Sequence, residues 1–335
     1  MMATPTLAPE KAHAERAFAH KAPLIACRFD PQGRYVFATS EDQSVQRWEL
    51  TTGKAAAYAG HQSWVFALGF TPDGATLLTG GGDGRLIWWS ATALDPKPIR
   101  TVEAHAGWLR SIAVSGDGKT VATCGNDRMV RLWSAVDGSK QMELPGHERP
   151  VYRVAFAPDG KTLISADLLG NVIEWDYRPG KEVRRLNAAK LWIYDQNFRA
   201  DCGGVRDLAF SGDGRRLACG GQIEATNPFG AVSVPSVLLL DWATGQETRM
   251  QRPKEDVKGV TWGVRFHPSG FVVAVSGGTG GGHLWFWKPD QVNEFARFNL
   301  GNIGRDLDLH PDGLRVATAH HDGKARITAL FAKPA

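Results

Sequence analysis

Cysteine is scarce in this chain, and long apolar runs are missing. The four cysteines are Cys27, Cys124, Cys202 and Cys219, and their spacing does not match that of a metal-binding cluster. Three of them lie in apolar runs typical of strands, so we expect buried free thiols. No run of 18 apolar residues occurs, so no membrane-spanning helix is expected. The first 22 residues are charged and lack the apolar segment of a secretory signal, which favours a soluble cytoplasmic protein.

Neither charge sign is in large excess, and catalytic motifs are also missing. Lysine and arginine total 39 against 35 aspartates and glutamates, and the charges are spread along the chain, so no basic tract favours nucleic acid. The glycine-rich residues 277–282 connect two predicted strands and are not followed by Gly-Lys-Ser/Thr, which argues against a nucleotide loop. The run His320-His321-Asp322 resembles a metal-binding fragment, but Asp322 falls in a predicted turn. We therefore expect no metal, cofactor or catalytic residue.

A repeated unit dominates what is present. Residues 60–89 contain three short apolar runs, separated by Thr-Pro-Asp-Gly at residues 71–74 and by Asp83-Gly84. Such turns between short apolar runs predict a β-meander. The glycine of the first turn recurs at intervals of 41 to 56 residues, at Gly33, Gly74, Gly118, Gly160, Gly214, Gly270 and Gly313. A period near 40–45 residues with several strands per repeat is typical of propeller blades.

Two other residue types keep fixed offsets from these glycines. Tryptophan lies 15 residues after the glycine at Trp48, Trp89, Trp133 and Trp175. Histidine lies 13 residues before it at His20, His61, His105 and His147. In the fifth and sixth repeats the expected tryptophans lie later after the glycine, at Trp242 and Trp287.

With these residues, the chain resembles the WD-repeat β-propeller family over about residues 12–330. The resemblance implies an all-β fold with seven blades of four antiparallel strands. It also implies a buried tetrad of His, Ser/Thr, Asp and Trp in each blade. Blades 2 and 3 match fully, with His61, Thr79, Asp83 and Trp89, and with His105, Thr123, Asp127 and Trp133. Other blades depart from the pattern, with Ala38 at the hydroxyl position of blade 1, Leu169 at the Asp position of blade 4 and Thr328 at the Trp position of blade 7.

The two ends of the chain are expected to meet. The last repeat supplies three strands and ends near Leu330, whereas residues 12–19 occupy the position of an outer strand. Pairing of residues 12–19 with residues 325–330 would close the ring and remove two unpaired edges. Residues 12–335 are then one propeller domain, and residues 1–11 are expected to form a disordered tail.

Two repeats carry insertions, at about residues 187–203 and 222–235. Because successive strands alternate in direction, the Pro-Asp-Gly turns share one face, which we call the bottom. Both insertions emerge on the opposite face, the top, and they include Trp192 and Phe229. Long loops on a rigid scaffold often carry function. The alternative is that the two insertions only pack on each other.

The resemblance also implies where a partner would bind. In the family, contacts concentrate three and five residues after the blade histidine, near the channel mouth. These offsets give a set rich in aromatic residues and arginines, namely Trp64, Phe66, Trp108, Arg110, Tyr152, Arg206, Trp262 and Arg305. Such side chains are typical of binding hot spots. The alternative is that some of them fill the channel or the blade interfaces.

The expected function is therefore that of a non-catalytic scaffold, monomeric by itself, that binds a protein or peptide partner through the top face. One form of this hypothesis is that the chain is a subunit of a multiprotein complex. Binding to nucleic acid or to a membrane is not expected. An alternative stays open, a propeller enzyme or small-ligand binder that uses the central channel. That alternative would need convergent carboxylates or a metal set at the channel mouth.

Overall fold

The computed structural model describes residues 5–227 and 232–333, and these form a closed ring of seven antiparallel sheets. The inner strands of neighbouring sheets contact one another around a central channel. The predicted all-β, seven-bladed propeller is thus confirmed. No helix in the described part of the chain is long and apolar enough to cross a membrane. The four cysteines are buried free thiols.

The first four blades each consist of four consecutive strands, from the channel outwards. A separate strand, β1 (His13–Ala19), precedes them. The blades are, in order, β2 (Leu24–Phe29), β3 (Tyr35–Ser40), β4 (Ser44–Glu49) and β5 (Ala55–Ala59); β6 (Val65–Phe70), β7 (Thr76–Gly81), β8 (Arg85–Ser90) and β9 (Pro98–Glu103); β10 (Leu109–Val114), β11 (Thr120–Gly125), β12 (Val130–Ser134) and β13 (Lys140–Leu144); and β14 (Val151–Phe156), β15 (Thr162–Asp167), β16 (Asn171–Asp176) and β17 (Lys181–Asn187).

The last three blades follow a two-stranded hairpin of β18 (Trp192–Asp195) and β19 (Ala200–Gly203). Their strands are β20 (Asp207–Phe210), β21 (Arg216–Asn227), β22 (Val232–Asp241) and β23 (Glu247–Gln251); β24 (Val260–Phe266), β25 (Val272–Gly278), β26 (Gly281–Trp287) and β27 (Ala296–Asn299); and β28 (Gly304–Leu309), β29 (Arg315–His320) and β30 (Lys324–Ala329). Two short 3₁₀ helices, Pro9–Lys11 and Ala189–Leu191, complete the elements of the described residues.

Burial follows the position of a strand within its blade. The third strand of blade 5, β22, is buried at every residue between its two ends, because both of its faces pack against neighbouring blades. The outer strand β17 instead alternates between exposed and less exposed residues, as expected for a strand with one face in water. Apolar residues of adjacent blades interlock, as where the ring of Phe37 in blade 1 lies 5.0 Å from that of Phe70 in blade 2.

Strand β1 closes the ring. It pairs antiparallel with β30, from His13 opposite Ala329 to Ala19 opposite Lys324, and the predicted closure is thereby confirmed. The chain before β1 differs from the expected disordered tail over residues 1–11. Leu7 forms a bridge with Phe331, Pro9 is buried, and Leu7 packs on the apolar cluster between blades 6 and 7. Apolar side chains thus hold residues 7–11 against the ring, whereas residues 1–4 lie outside the described part.

The hydrogen-bonded tetrads fix the blades internally. In blade 2, Trp89 Nε1 donates to Thr79 Oγ1 at 2.9 Å, and that hydroxyl lies 2.8 Å from His61 Nε2. The other ring nitrogen of His61 lies 3.1 Å from the carboxylate of Asp83. With its proton on Nδ1, the His61 ring donates to Asp83 and accepts from the Thr79 hydroxyl, which accepts from Trp89, so the polar atoms of this tetrad are satisfied.

Blade 4 completes its tetrad in a way that the sequence pattern missed. Leu169 occupies the expected Asp position, but the carboxylate comes from Asp167, at the end of β15, and lies 2.8 Å from His147 Nδ1. Ser165 Oγ bonds His147 Nε2 at 2.7 Å and accepts from Trp175 Nε1 at 2.8 Å. A carboxylate two residues earlier serves equally well because the turn brings it to the same ring nitrogen.

Blades 6 and 7 also depart from expectation. In blade 6 the tryptophan that donates to a serine is Trp285, 2.8 Å from Ser276 Oγ, rather than Trp287. Trp285 lies 15 residues after Gly270, which is the offset of the first four blades. In blade 7 the histidine comes from the second strand itself, where His320 Nε2 lies 2.7 Å from Thr318 Oγ1.

The bottom face is tied together by the Pro-containing turns. His310 Nε2 bonds the carbonyl of Gly33 at 2.9 Å, and His267 Nε2 bonds that of Gly313 at 2.6 Å. Each of these histidines also accepts a backbone N–H within its own turn, so it shapes the turn and links its blade to the next. Gln32 makes a similar link from blade 1 to the carbonyl of Asp73 in blade 2.

We predict that deleting residues 1–19 opens the ring. The deletion removes β1 and exposes the hydrogen-bonding edge of β30, so the melting temperature should fall and the protein should self-associate. Size-exclusion chromatography with light scattering and thermal unfolding measure the two effects. A deletion of residues 1–6 keeps β1 and Leu7 and is the matched control. A monomer with an unchanged melting temperature after the longer deletion would contradict the prediction.

We predict that His320 makes stability depend on pH. Burial and the nearby Arg326 charge lower the pKa of His320 from 6.5 to about 4. Between pH 6.5 and about pH 4, the unfolded chain binds a proton at His320 that the folded protein does not bind. The free energy of unfolding therefore falls by up to about 1.4 kcal/mol for each pH unit by which the pH is lowered in this range. Urea unfolding of wild type and His320→Gln across this range should give a flatter profile for the variant. Equal slopes would be inconsistent with this assignment.

Candidate binding cavity on the top face

A cavity of about 440 Å³ opens at the top end of the central channel. Its walls are formed where the inner strands begin, so each blade contributes residues from the same structural position. Eight of the ten predicted partner-binding residues line it, namely Trp64, Phe66, Trp108, Arg110, Tyr152, Arg206, Trp262 and Arg305. The top-face offsets taken from the sequence therefore converge on one site.

β-Bulges explain why these side chains point into the cavity. The register between first and second strands shifts by one residue in blades 1 to 4, 6 and 7, and the extra residue lies near the start of the inner strand. In five of these blades the extra residue is a predicted site residue, namely Phe66, Arg110, Tyr152, Trp262 and Arg305. A bulged residue leaves the regular alternation and can be directed to a new side.

The cavity wall is a continuous stack of aromatic rings and guanidinium groups. The rings of Phe66 and Trp108 are stacked at 4.9 Å, and Arg110 lies 4.4 Å from the Trp108 ring. The guanidinium of Arg110 also lies 4.6 Å from the ring of Tyr152, and the guanidinium of Arg206 lies 4.7 Å from the same ring. Cation–π contacts of this kind hold each guanidinium plane against a ring.

The stack extends at both ends and so spans blades 2 to 6. The ring of Trp64 lies 6.4 Å from that of Phe66, and the guanidinium of Arg206 lies 5.3 Å from the ring of Trp262. Trp64 and Trp108 nevertheless remain 46% and 40% exposed, so they present large apolar surfaces to solvent. Exposed aromatic rings on a fixed support are well suited to contact a partner.

The arginines of the cavity differ in their partners. Arg305 forms an ion pair of 2.6 Å with Glu41, a lining residue that the sequence offsets did not identify. Arg110 donates to the amide oxygen of Asn126 at 2.8 Å. Across residues 5–227 and 232–333, no carboxylate lies within ion-pair distance of Arg110 or Arg206. Burial, together with the charge of Arg206, lowers the pKa of Arg110.

Tyr152 lies between these two cations. Burial opposes ionisation of its hydroxyl, but the charges of Arg206 and Arg110 and a hydrogen bond from Arg206 outweigh burial and lower the pKa of Tyr152. The positive charges of Arg110 and Arg206 thus both lie next to the ring of Tyr152.

Ion pairs form the floor of the cavity. Arg153 Nε lies 2.9 Å from Asp207, and its Nη2 lies 3.7 Å from Asp306. Asp207 also accepts from Arg265 at 2.8 Å, and Asp306 also accepts from Arg28 at 2.6 Å. This layer separates the top cavity from a second cavity, of about 340 Å³, on the bottom side.

The floor also holds one wall of the cavity in place. Arg153 Nε donates to the backbone carbonyl of Arg206 at 3.0 Å, which anchors that residue.

The carboxylates of the floor are those that a channel enzyme would need. The channel carboxylates Asp207 and Asp306 converge, but both are bound to arginines. No group of three or more His, Cys, Asp or Glu side chains among the described residues is arranged to hold a metal ion.

None of the described residues of the two insertions lines the cavity. Trp192 belongs to the β18–β19 hairpin and donates to Asp201 at 3.0 Å, while Arg149 of blade 4 binds the other oxygen of that carboxylate at 2.9 Å. Leu191 packs in one apolar cluster with Ile223 of the second insertion, so the insertions do pack on each other. Phe229 lies outside the described residues.

Comparison with known proteins identifies the repeats and several relatives. Residues 15–49, 54–90, 96–134 and 138–176 match the family model of the WD domain, G-beta repeat. The chain is 24% identical over 244 residues to transcription initiation factor TFIID subunit 5 of Caenorhabditis elegans, a match covering 73% of this chain and 35% of that protein. It is 22% identical over 337 residues to eukaryotic translation initiation factor 3 subunit I of Drosophila pseudoobscura pseudoobscura, covering 92% of this chain and 94% of the relative.

A shorter match has higher identity. Over 75 residues, or 22% of this chain, it is 39% identical to the pre-rRNA-processing protein IPI3 of Mycosarcoma maydis, where the match covers 12% of the relative. The chain therefore spans about a third of the first relative, nearly all of the second and a small part of the third.

We predict that Arg206→Gln raises the pKa of Tyr152. Burial of this hydroxyl raises its pKa, and removal of the Arg206 charge and hydrogen bond leaves that effect less opposed. Titration of ¹³C-labelled tyrosine by NMR measures the shift, with Tyr152→Phe to assign the resonance. Arg178→Gln removes a guanidinium from the ring of Tyr177 instead and is the control. An unchanged or lower pKa of Tyr152 in Arg206→Gln would refute the proposed electrostatic coupling.

Proposed function

We propose that this chain, a WD-repeat β-propeller, is a non-catalytic scaffold that binds a protein or peptide partner through its top face. The observation that carries this proposal is the continuous stack of aromatic rings and guanidinium groups around the top cavity. Seven side chains from five blades take part in it, from Trp64 to Trp262. Single apolar residues on a surface need no explanation, whereas a contiguous set of this composition is typical of an interface.

The shape of the site supports a segment of a partner rather than a flat contact. A volume of about 440 Å³ is enough for one or a few inserted side chains, and the exposed rings of Trp64 and Trp108 extend the contact to the rim. Bulges and the Arg153 anchor fix the wall before a partner arrives, so little conformational entropy is lost on binding.

The relatives favour a role inside a multiprotein assembly. Two of them are named as subunits, of the transcription factor TFIID and of translation initiation factor 3. Identity to each is below a quarter, so these names support the class of function and not a particular partner for this chain.

A small-ligand or enzymatic use of the channel has weaker support. The cavity volume also falls in the range of small-molecule sites. However, the convergent carboxylates that such chemistry would use, Asp207 and Asp306, lie in the ion-paired floor. Burial raises the pKa of the Asp207 carboxyl, but the charges of Arg153 and Arg265 outweigh burial and lower that pKa, so Asp207 is a poor general base.

We predict that the double variant Arg206→Glu/Trp262→Ala loses the partner. The change reverses one charge and removes one ring of the stack, both on the top face. Affinity capture from lysate of the native host, followed by a binding assay with the purified protein that is recovered, measures the effect. The variant should retain its melting temperature.

The control variant makes the same kinds of change on the bottom face. Leu94 and Arg215 are exposed there, so Arg215→Glu/Leu94→Ala also reverses one charge and removes one apolar side chain. A partner lost from the top-face variant alone supports the proposal. A partner held equally by both variants would show that the top face is not the binding surface.

A further inference from the structure

We propose that the cavity binds an anionic side chain of a peptide between Arg110 and Arg206, with a large apolar residue of the same peptide against the neighbouring rings. This inference rests on the proposed function and specifies its ligand. The anionic group is a carboxylate of Asp or Glu, or a phosphoryl group on a serine or threonine, since both offer the same oxygen acceptors to guanidinium groups.

The first argument is the charge balance of the site. The other cations of the cavity and its floor have carboxylates, because Arg305 pairs with Glu41 and Arg153 pairs with Asp207. Arg110 and Arg206 face one ring, at 4.6 and 4.7 Å, without a carboxylate from the described residues. Two like charges held close together in a partly buried site repel each other, and an anion between them is attracted by both.

The second argument is the hydrogen-bonding capacity that remains. The Nε atom of Arg206 is buried and has no acceptor in the described structure. This atom is shielded from solvent, so an anion would bind Arg206 through the terminal amino groups of its guanidinium. Nε of Arg110 already bonds Asn126, so an anion would use the terminal amino groups of that guanidinium.

The third argument is geometric. The Arg110 guanidinium lies against the rings of Phe66, Trp108 and Tyr152, and the Arg206 guanidinium lies against the rings of Tyr152 and Trp262. An aromatic ring contacts the charge of a guanidinium but is not an oxygen acceptor for its in-plane N–H groups, so the N–H groups without an acceptor remain for a ligand. Carboxylates and phosphoryl groups bind these edges in a forked arrangement.

Aromatic rings lie beside Arg110 and Arg206, and they favour an apolar residue next to the anionic residue of the peptide. The stacked rings of Phe66 and Trp108 lie beside Arg110, and Trp64 extends this surface to the rim. Trp262 lies beside Arg206 at the other end. A ligand that places only a charge here would leave these rings exposed, so we infer a Leu, Met or aromatic residue close to the anionic one.

The test is selection of a random synthetic peptide library, containing phosphoserine as an additional building block, on the full chain. The three immobilised proteins are wild type, Arg110→Gln/Arg206→Gln and the control Arg215→Gln/Arg216→Gln, which removes two exposed arginines at the bottom-face start of β21. We expect wild type and control to enrich Asp, Glu or phosphoserine next to a large apolar residue, and the Arg110→Gln/Arg206→Gln variant not to.

A selected peptide then provides a quantitative check by calorimetry. Replacing its anionic residue by Asn, Gln or Ser should weaken binding to wild type by about 10- to 100-fold, the usual range for a hydrogen bond to a charged group. The same replacement should have little effect on binding to Arg110→Gln/Arg206→Gln, because the two changes remove one interaction. Comparison of the Asp and phosphoserine versions distinguishes the two sources of the anion.

The outcomes separate this inference from the proposed function. Peptides without anionic enrichment that still require Trp64 and Trp262, tested as Trp64→Ala/Trp262→Ala, would overturn the inference and leave the top-face proposal standing. Failure to select any peptide, or peptides that bind every variant equally, would overturn both. Displacement of the peptide by equal concentrations of free glutarate or inorganic phosphate would show that the cavity takes small anions and would overturn the assignment to a peptide.

Discussion

The antiparallel pairing of β1 with β30 is the contact on which the rest of the ring depends. A blade buries its two faces only when it has a neighbour on each side, so an open ring would expose one face at each end of the array. The pairing joins residues near His13 to residues near Ala329 and therefore closes a loop of almost the whole chain. Contacts of such high sequence separation are costly in chain entropy, so we expect this pairing to form after the local β-meanders. Leu7 and Pro9 reinforce the closure from the side.

Much of the fold could be predicted because its determinants are local. Turn glycines, blade tryptophans and histidines recur at fixed offsets, and they predicted seven blades and the closing strand. The tetrads were predicted less well. A hydrogen bond needs only an acceptor within reach, so Asp167 replaces the residue expected at position 169, and His320 enters from a different strand. The prediction of Trp287 for blade 6 was wrong, because Trp285 forms the tetrad bond. Trp285 lies 15 residues after the turn glycine, as the tryptophans of the first four blades do.

The candidate site was predictable in its position but not in its electrostatics. Offsets from the blade histidine identified Trp64, Arg110 and the residues that join them. They could not show that Arg305 is neutralised by Glu41 while Arg110 and Arg206 have no carboxylate among the described residues, because these pairs depend on which side chains meet across the ring. The ion-paired floor lay one residue further along the inner strands, at Arg153, Asp207 and Asp306, and was not predicted at all. Buried ion pairs are seldom a large source of stability, so this layer is better regarded as a barrier that sets the charge of the cavity above it.

The bulges at the start of the inner strands have a consequence for how such a molecule changes its specificity. A bulged residue is extra to the ladder, so its side chain can be exchanged without moving the strands or disturbing the tetrads that hold each blade. Substitutions at the bulged positions are therefore expected to leave the strand pairing and the stability of the propeller largely unchanged. These positions are Phe66, Arg110, Tyr152, Trp262 and Arg305. One frame of this kind can acquire a new ligand through a few substitutions at these positions, and a designer could randomise the same set to retarget it.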